Sequence, residues 1–83
     1  MKKLISIEFF GMQRAVTKTE SIYMPISENM KVTDALEYVR NQYPNLPLDN
    51  GMVLITVNQE MASLDTMLKH NDTVLFLPFI SGG

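Results

Sequence analysis

The ten residues Val74-Leu75-Phe76-Leu77-Pro78-Phe79-Ile80-Ser81-Gly82-Gly83 constrain this chain more than any others. Thr73 to Leu77 is apolar at both alternating sets, Val74 and Phe76 on one and Leu75 and Leu77 on the other. A strand apolar on both faces belongs in the middle of a sheet, with neighbours on either side. Pro78 then removes a ladder donor, and Ser81, Gly82 and Gly83 carry almost no side chain. The pattern predicts a central strand that passes into a thin arm tipped by the free α-carboxylate of Gly83. It divides the chain into a folded unit over 1–78 and a flexible tail over 79–83.

Eighty-three residues make one small domain. With 46% hydrophobic residues a core is feasible without staples, and with no cysteine there can be no disulfide or thiolate metal site. Absent cysteine also fits a cytoplasmic protein. The start Met1-Lys2-Lys3-Leu4-Ile5-Ser6-Ile7 resembles a signal peptide faintly, but Glu8 breaks the apolar run too soon. No stretch has the length of a membrane span. Seven scattered basic residues and a net charge of −2 argue against nucleic acid and permit a partner with a basic docking surface.

Read in order, Leu4 to Phe10 alternates with period two and predicts a first strand, with Ile5, Ile7 and Phe9 on one face. Gly11 to Val16 is expected to be a loop. Thr17 to Ile26 predicts a second strand, at an edge because Pro25 cannot donate to a ladder. Val32, Ala35, Leu36, Val39 and Tyr43 make one helical stripe, with Thr33 as the expected N-cap and Pro44 as the stop. After a turn-rich loop, Met52 to Val57 predicts a third strand, Asn58-Gln59-Glu60 a turn and Met61-Ala62 a very short fourth strand. Ser63 to Lys69 holds at most one helical turn, and His70-Asn71-Asp72 leads into the final strand.

These elements fit an α+β fold: a mixed sheet of four or five strands with one main helix on one face. By the crossover rule the last strand runs parallel to the first, under the helix. This is the β-grasp, or ubiquitin-like, arrangement. If the helix covers Val74 and Phe76, then Leu75 and Leu77 look out of the open face, with Phe79 continuing their line. Large apolar groups there suggest a partner surface; the alternative is packing beneath a loop or the side chain of Tyr23.

Three stretches resemble a known family. Val57-Asn58-Gln59-Glu60, then Leu68-Lys69-His70-Asn71-Asp72-Thr73-Val74-Leu75-Phe76-Leu77-Pro78 ending in Gly82-Gly83, are similar to the small subunits of molybdopterin synthase, the MoaD family of the MoaD/ThiS sulfur carriers. Phe9-Phe10-Gly11-Met12-Gln13-Arg14 resembles that family's opening strand more loosely. Two departures stand out. Asn71 occupies a turn position that is often glycine, and Phe79 one that is often a second proline.

The resemblance implies a carrier of sulfur for the molybdenum cofactor. An adenylating enzyme would use ATP to activate Gly83, a sulfur donor would convert it to a thiocarboxylate, and the large synthase subunit would accept the tail in a hetero-oligomer. On this reading Gly83 and Gly82 carry the chemistry. Leu75, Leu77, Pro78, Phe79, Ile80 and Ser81 meet the partners, and the chain itself binds no cofactor or metal.

The tail suits such chemistry. A carboxylate is a poor electrophile, but its oxygen can attack ATP to give an acyl-adenylate that sulfur then displaces, two easier steps in place of one hard one. Enclosing enzymes keep water from the adenylate, and glycine passes a narrow channel because it lacks Cβ. From Phe79 to Gly83 an extended chain spans about 16 Å at roughly 3.3 Å per residue.

Other residues need only bland roles. His70 is expected in a solvated turn, the seven methionines as filler, Lys2-Lys3 as a solvated start, and Lys69 and Arg14 as loop cations. Neither Asp34/Glu37 nor Asp65/Asp72 makes a convincing acid–base pair. Three rival functions stay open: sulfur delivery to thiamine thiazole or an amino acid, conjugation to target lysines as a protein modifier, and a plain binding module with an incidental Gly-Gly ending.

Overall fold

A computed structural model describes residues 2–46, 48 and 53–78. The elements are β1 (Lys3–Glu8), α1 (Gln13–Thr17), β2 (Ser21–Ile26), α2 (Val32–Gln42), β3 (Val53–Val57), β4 (Glu60–Ala62) and β5 (Thr73–Pro78). The five strands form one sheet in the order β2-β1-β5-β3-β4. β1 and β2 pair antiparallel, β1 and β5 parallel, and β3 pairs antiparallel with both β5 and β4. The β-grasp arrangement is therefore present, with β5 central and the Pro25-bearing β2 at an edge, as the patterning predicts.

One face of the sheet carries the core. Ile5 and Ile7 of β1, Met24 of β2, Ile55 of β3 and Val74 and Phe76 of β5 are buried against Val32, Ala35, Leu36 and Val39 of α2. The stripe read from the sequence is thus the stripe that packs. Phe9 meets Tyr43 edge-on with ring centroids 5.5 Å apart, closing the end of this layer. Leu46 and Leu48, in the segment expected to be a turn-rich loop, are buried too. The Arg40 guanidinium fixes that turn by donating to the carbonyl of Leu48, its Nε at 2.8 Å and its Nη2 to the same oxygen.

Three local expectations need correction. The predicted loop over Gly11 to Val16 contains α1, a helix of five residues. Gln13, Arg14 and Ala15 have good helix propensity, but one turn is too short to show a periodic stripe. Lys18 closes it at φ 63°, its N–H bonded to the carbonyl of Arg14. As a result β2 starts at Ser21, not Thr17.

The N-cap of α2 is Lys31, not Thr33. Its first N–H groups are satisfied from outside the helix, Val32 by the carbonyl of Thr66 at 2.9 Å and Thr33 by that of Leu64 at 3.1 Å. The Asp34 carboxylate accepts the Lys31 N–H at 2.8 Å. A tertiary contact does the work of a local cap, and no local signal reports it.

Candidate functional site

The site read from the sequence has two parts, the root of the tail on β5 and the tail itself. Phe79, Ile80, Ser81, Gly82 and Gly83 lie outside the described residues. Their roles rest on the sequence. The root is described, and its geometry is set by its two neighbours.

Toward β3, β5 is paired along its whole length, from Val74 opposite Val57 to Pro78 opposite Val53. The N–H of Asn58 donates to the carbonyl of Thr73 at 2.8 Å. Antiparallel alternation then points the polar groups of Thr73, Leu75 and Leu77 at β3 and those of Val74, Phe76 and Pro78 at β1. Toward β1 the pairing is shorter, covering only Thr73 to Leu75 against Ser6 to Glu8. Pro78 lacks its N–H on the side where β1 has already ended, so no donor is stranded there.

Side chains take over where the parallel ladder stops. At its start, the Leu4 N–H donates to Nδ1 of His70 at 3.0 Å, and the Asn71 N–H donates to the carbonyl of Leu4. At its far end the Gln13 amide lies between Phe10 and Phe76. Oε1 accepts the Phe10 N–H at 2.8 Å, and Nε2 donates to the Phe76 carbonyl at 2.7 Å. His70, expected as a merely solvated turn residue, is exposed yet bonded. Gln13 was not singled out by any sequence signal, because glutamine is ordinarily a surface residue; here it is 7% exposed.

The other face of the sheet bears the expected apolar row. Leu75 and Leu77 are half-buried. Leu77 stands opposite Leu54, and Leu75 has Thr56 on one side and Glu8 on the other. Leu54 is 37% exposed, and Met61, opposite Thr56, is 70% exposed. Tyr23 is not a lid for them. It lies on β2, two strands away and opposite Ser6, and is 67% exposed.

The start of β5 is fixed by a buried carboxylate. Asp72 Oδ1 accepts from Nδ2 of Asn58 at 2.9 Å, and Oδ2 accepts the Lys69 N–H at 2.8 Å. Asn58 Oδ1 in turn accepts the Thr73 N–H at 2.9 Å. The two sequence blocks that carry the family resemblance are thus one hydrogen-bonded unit. Asn71 sits at φ 72°, so asparagine does serve the turn that glycine often fills. Among the described residues, no three His, Asp or Glu side chains come together as a metal site, and no helix is long and apolar enough to cross a membrane. Arg14 donates through Nε to the Phe9 carbonyl at 3.0 Å and lies 3.9 Å from the exposed carboxylate of Glu20.

Comparison with known proteins places this architecture. The model of the ThiS family matches residues 7–83, through the root and the Gly-Gly ending. The chain belongs to the ThiS family. It is 29% identical over 80 residues to the molybdopterin synthase sulfur carrier subunit of Mycobacterium tuberculosis, covering 95% of this chain and 96% of that one. The solution structure of small archaeal modifier protein 1 from Methanosarcina acetivorans superposes with a TM-score of 0.81 at 23% identity, covering 100% and 99% of the two chains. A complex of subunits 1 and 2 of the molybdopterin-converting factor from Helicobacter pylori contains a chain with TM-score 0.62 and 26% identity, covering 96% and 99%.

Proposed function

We propose that this chain is a sulfur carrier whose C-terminal Gly83 is adenylated and then thiocarboxylated, and that it donates sulfur as the small subunit of a molybdopterin synthase. The observation that carries this reading is the near full-length likeness to the Mycobacterium tuberculosis sulfur carrier subunit. The Helicobacter pylori complex supports the hetero-oligomer, since it joins a similar subunit to a second one. The β5 geometry supports a firm root for the tail, because the strand is paired with β1 at its start and with β3 through Pro78.

The chemistry runs as two displacements on the terminal carboxylate. A Gly83 oxygen attacks the α-phosphorus of ATP, a P–O bond forms, and pyrophosphate leaves. A sulfide-level nucleophile then attacks the acyl carbon, a C–S bond forms, the C–O bond to phosphate breaks, and AMP leaves with the former carboxylate oxygen. The activating enzyme supplies ATP and the dry site. The chain supplies the acyl group, and its Leu75, Leu77 and Leu54 face supplies apolar area for docking.

The test is intact-mass analysis of the chain after incubation with an activating enzyme, ATP and sulfide, then with the large subunit and a pterin precursor. A rise equal to the exchange of oxygen for sulfur, reversed in the second step, is expected. Adducts on lysines of other proteins would instead mark a modifier. Full activity after removal of Gly82-Gly83 would end the proposal.

A further inference from the structure

The parallel ladder between β1 and β5 has a fixed offset, set by the Ser6 N–H donating to the Asp72 carbonyl at 2.9 Å. Parallel pairing repeats every two residues on each strand. Continued by two repeats, the same offset calls for a bond from the Phe10 N–H to the Phe76 carbonyl. That bond is replaced: the donor goes to Oε1 of Gln13 and the acceptor is met by Nε2 of the same side chain. A primary amide thus stands in the ladder as one extra peptide unit, holding Phe10 and Phe76 apart while satisfying both.

Position gives this relay its meaning. Among the described residues, Phe76 is the last of β5 with a partner on the β1 side; the next one facing that way, Pro78, has no N–H to donate there. Gln13 is therefore the last restraint on β5 from the β1 side among the described residues, where β3 alone continues to pair it through Pro78. It is buried and comes from α1, an element separate from the strands it joins. We infer that Gln13 is a positioning residue, which fixes the direction in which the chain leaves Pro78 and so the aim of the tail. The functional half of this inference rests on the carrier reading above; the structural half does not.

Two measurements on Gln13→Leu and Gln13→Glu, with Gln13→Asn as the conservative change, separate these halves. The first is amide hydrogen exchange in the free chain. Leucine removes both bonds: exchange at the Phe10 amide is expected to rise at least about tenfold relative to other strand amides, the equivalent of about 1.4 kcal/mol, and the carbonyl carbon of Phe76, having lost its donor, is expected to shift upfield in the NMR spectrum. Glutamate keeps an acceptor for the Phe10 N–H but has no donor for the Phe76 carbonyl, so Phe10 stays protected while the Phe76 carbonyl carbon still shifts upfield. Unchanged exchange in Gln13→Leu overturns the relay, whatever the chain's function.

The second measurement is thiocarboxylation of Gly83 by the activating enzyme at varied carrier concentration. Gln13→Leu and Gln13→Glu are expected to lower kcat at least about tenfold with KM nearly unchanged, because the docking face is intact and only the reach of the carboxylate is altered. Asparagine, one methylene shorter, should lose part of this. Faster exchange with an unchanged kcat reduces Gln13 to a packing residue and overturns the positioning role. A wild-type chain that is not thiocarboxylated at all refutes the carrier reading and the aiming role together, leaving the exchange result to stand alone. Should Gln13→Leu fail to fold, the glutamate variant, which retains one of the two bonds, carries the kinetic measurement and, through the Phe76 carbonyl shift, the structural one; an unmoved shift then overturns the relay.

Discussion

Asn58 donates from its side-chain amide to the carboxylate of Asp72, 2.9 Å away and fourteen positions along the chain. The contact ties the turn between β3 and β4 to the first residue of the central strand, since Asn58 also accepts the Thr73 N–H. It makes the entry to β5 as well determined as its exit.

Asp72 is 5% exposed and its carboxylate accepts two charge-assisted bonds that truncation removes. Asp72→Ala is expected to destabilise the fold by about 1–3 kcal/mol. Urea denaturation with an unchanged m-value measures it, and a loss near zero would show that water replaces the carboxylate freely.

The turn itself stores strain. Asn58 has φ 54° and Gln59 has φ 71°, the two positive values of a tight hairpin turn that favours Asn-Gly. Asparagine enters this region at less cost than glutamine. Gln59→Gly should stabilise by roughly 0.5–1 kcal/mol, the part of the left-handed cost left after glycine's added entropy loss. A rise in Tm checks it.

Adjacent residues of β5 should respond very differently to truncation. Phe76 is 1% exposed in the core, and Phe76→Ala is expected to cost about 3–5 kcal/mol. Leu75, half-buried on the other face, should lose less than about 1.5 kcal/mol as Leu75→Thr, a strand-compatible change. Equal losses in chemical denaturation would mean that the outer face is buried in the free chain.

That outer face should matter for partners instead. Leu77→Asp places a charge opposite Leu54 in the apolar row. If the proposed function holds, binding to a molybdopterin synthase large subunit weakens at least about tenfold, which is about 1.4 kcal/mol, while the far-ultraviolet circular dichroism stays that of the parent. Calorimetric titration gives the number, and undiminished affinity would move docking elsewhere.

Much of this molecule could be read from residue order. Alternation in Leu4 to Phe10, the 3.6-residue stripe from Val32 to Tyr43, and the doubly apolar Thr73 to Leu77 gave strand, helix and central strand, because burial on one or two faces writes itself into sequence as a period. Pro25 marked an edge for the equally local reason that it has no N–H. The Gly-Gly ending needed no fold to be seen.

Only the folded chain decided how backbone groups without a local partner are served. The caps of α2 come from Leu64 and Thr66, the ladder ends from His70 and Gln13, and the entry to β5 from Asn58. Each pairs residues distant in sequence or joined through a single side chain, and such pairings have no period. A glutamine in a short helix looks like any surface glutamine until the strands on either side of it are in place.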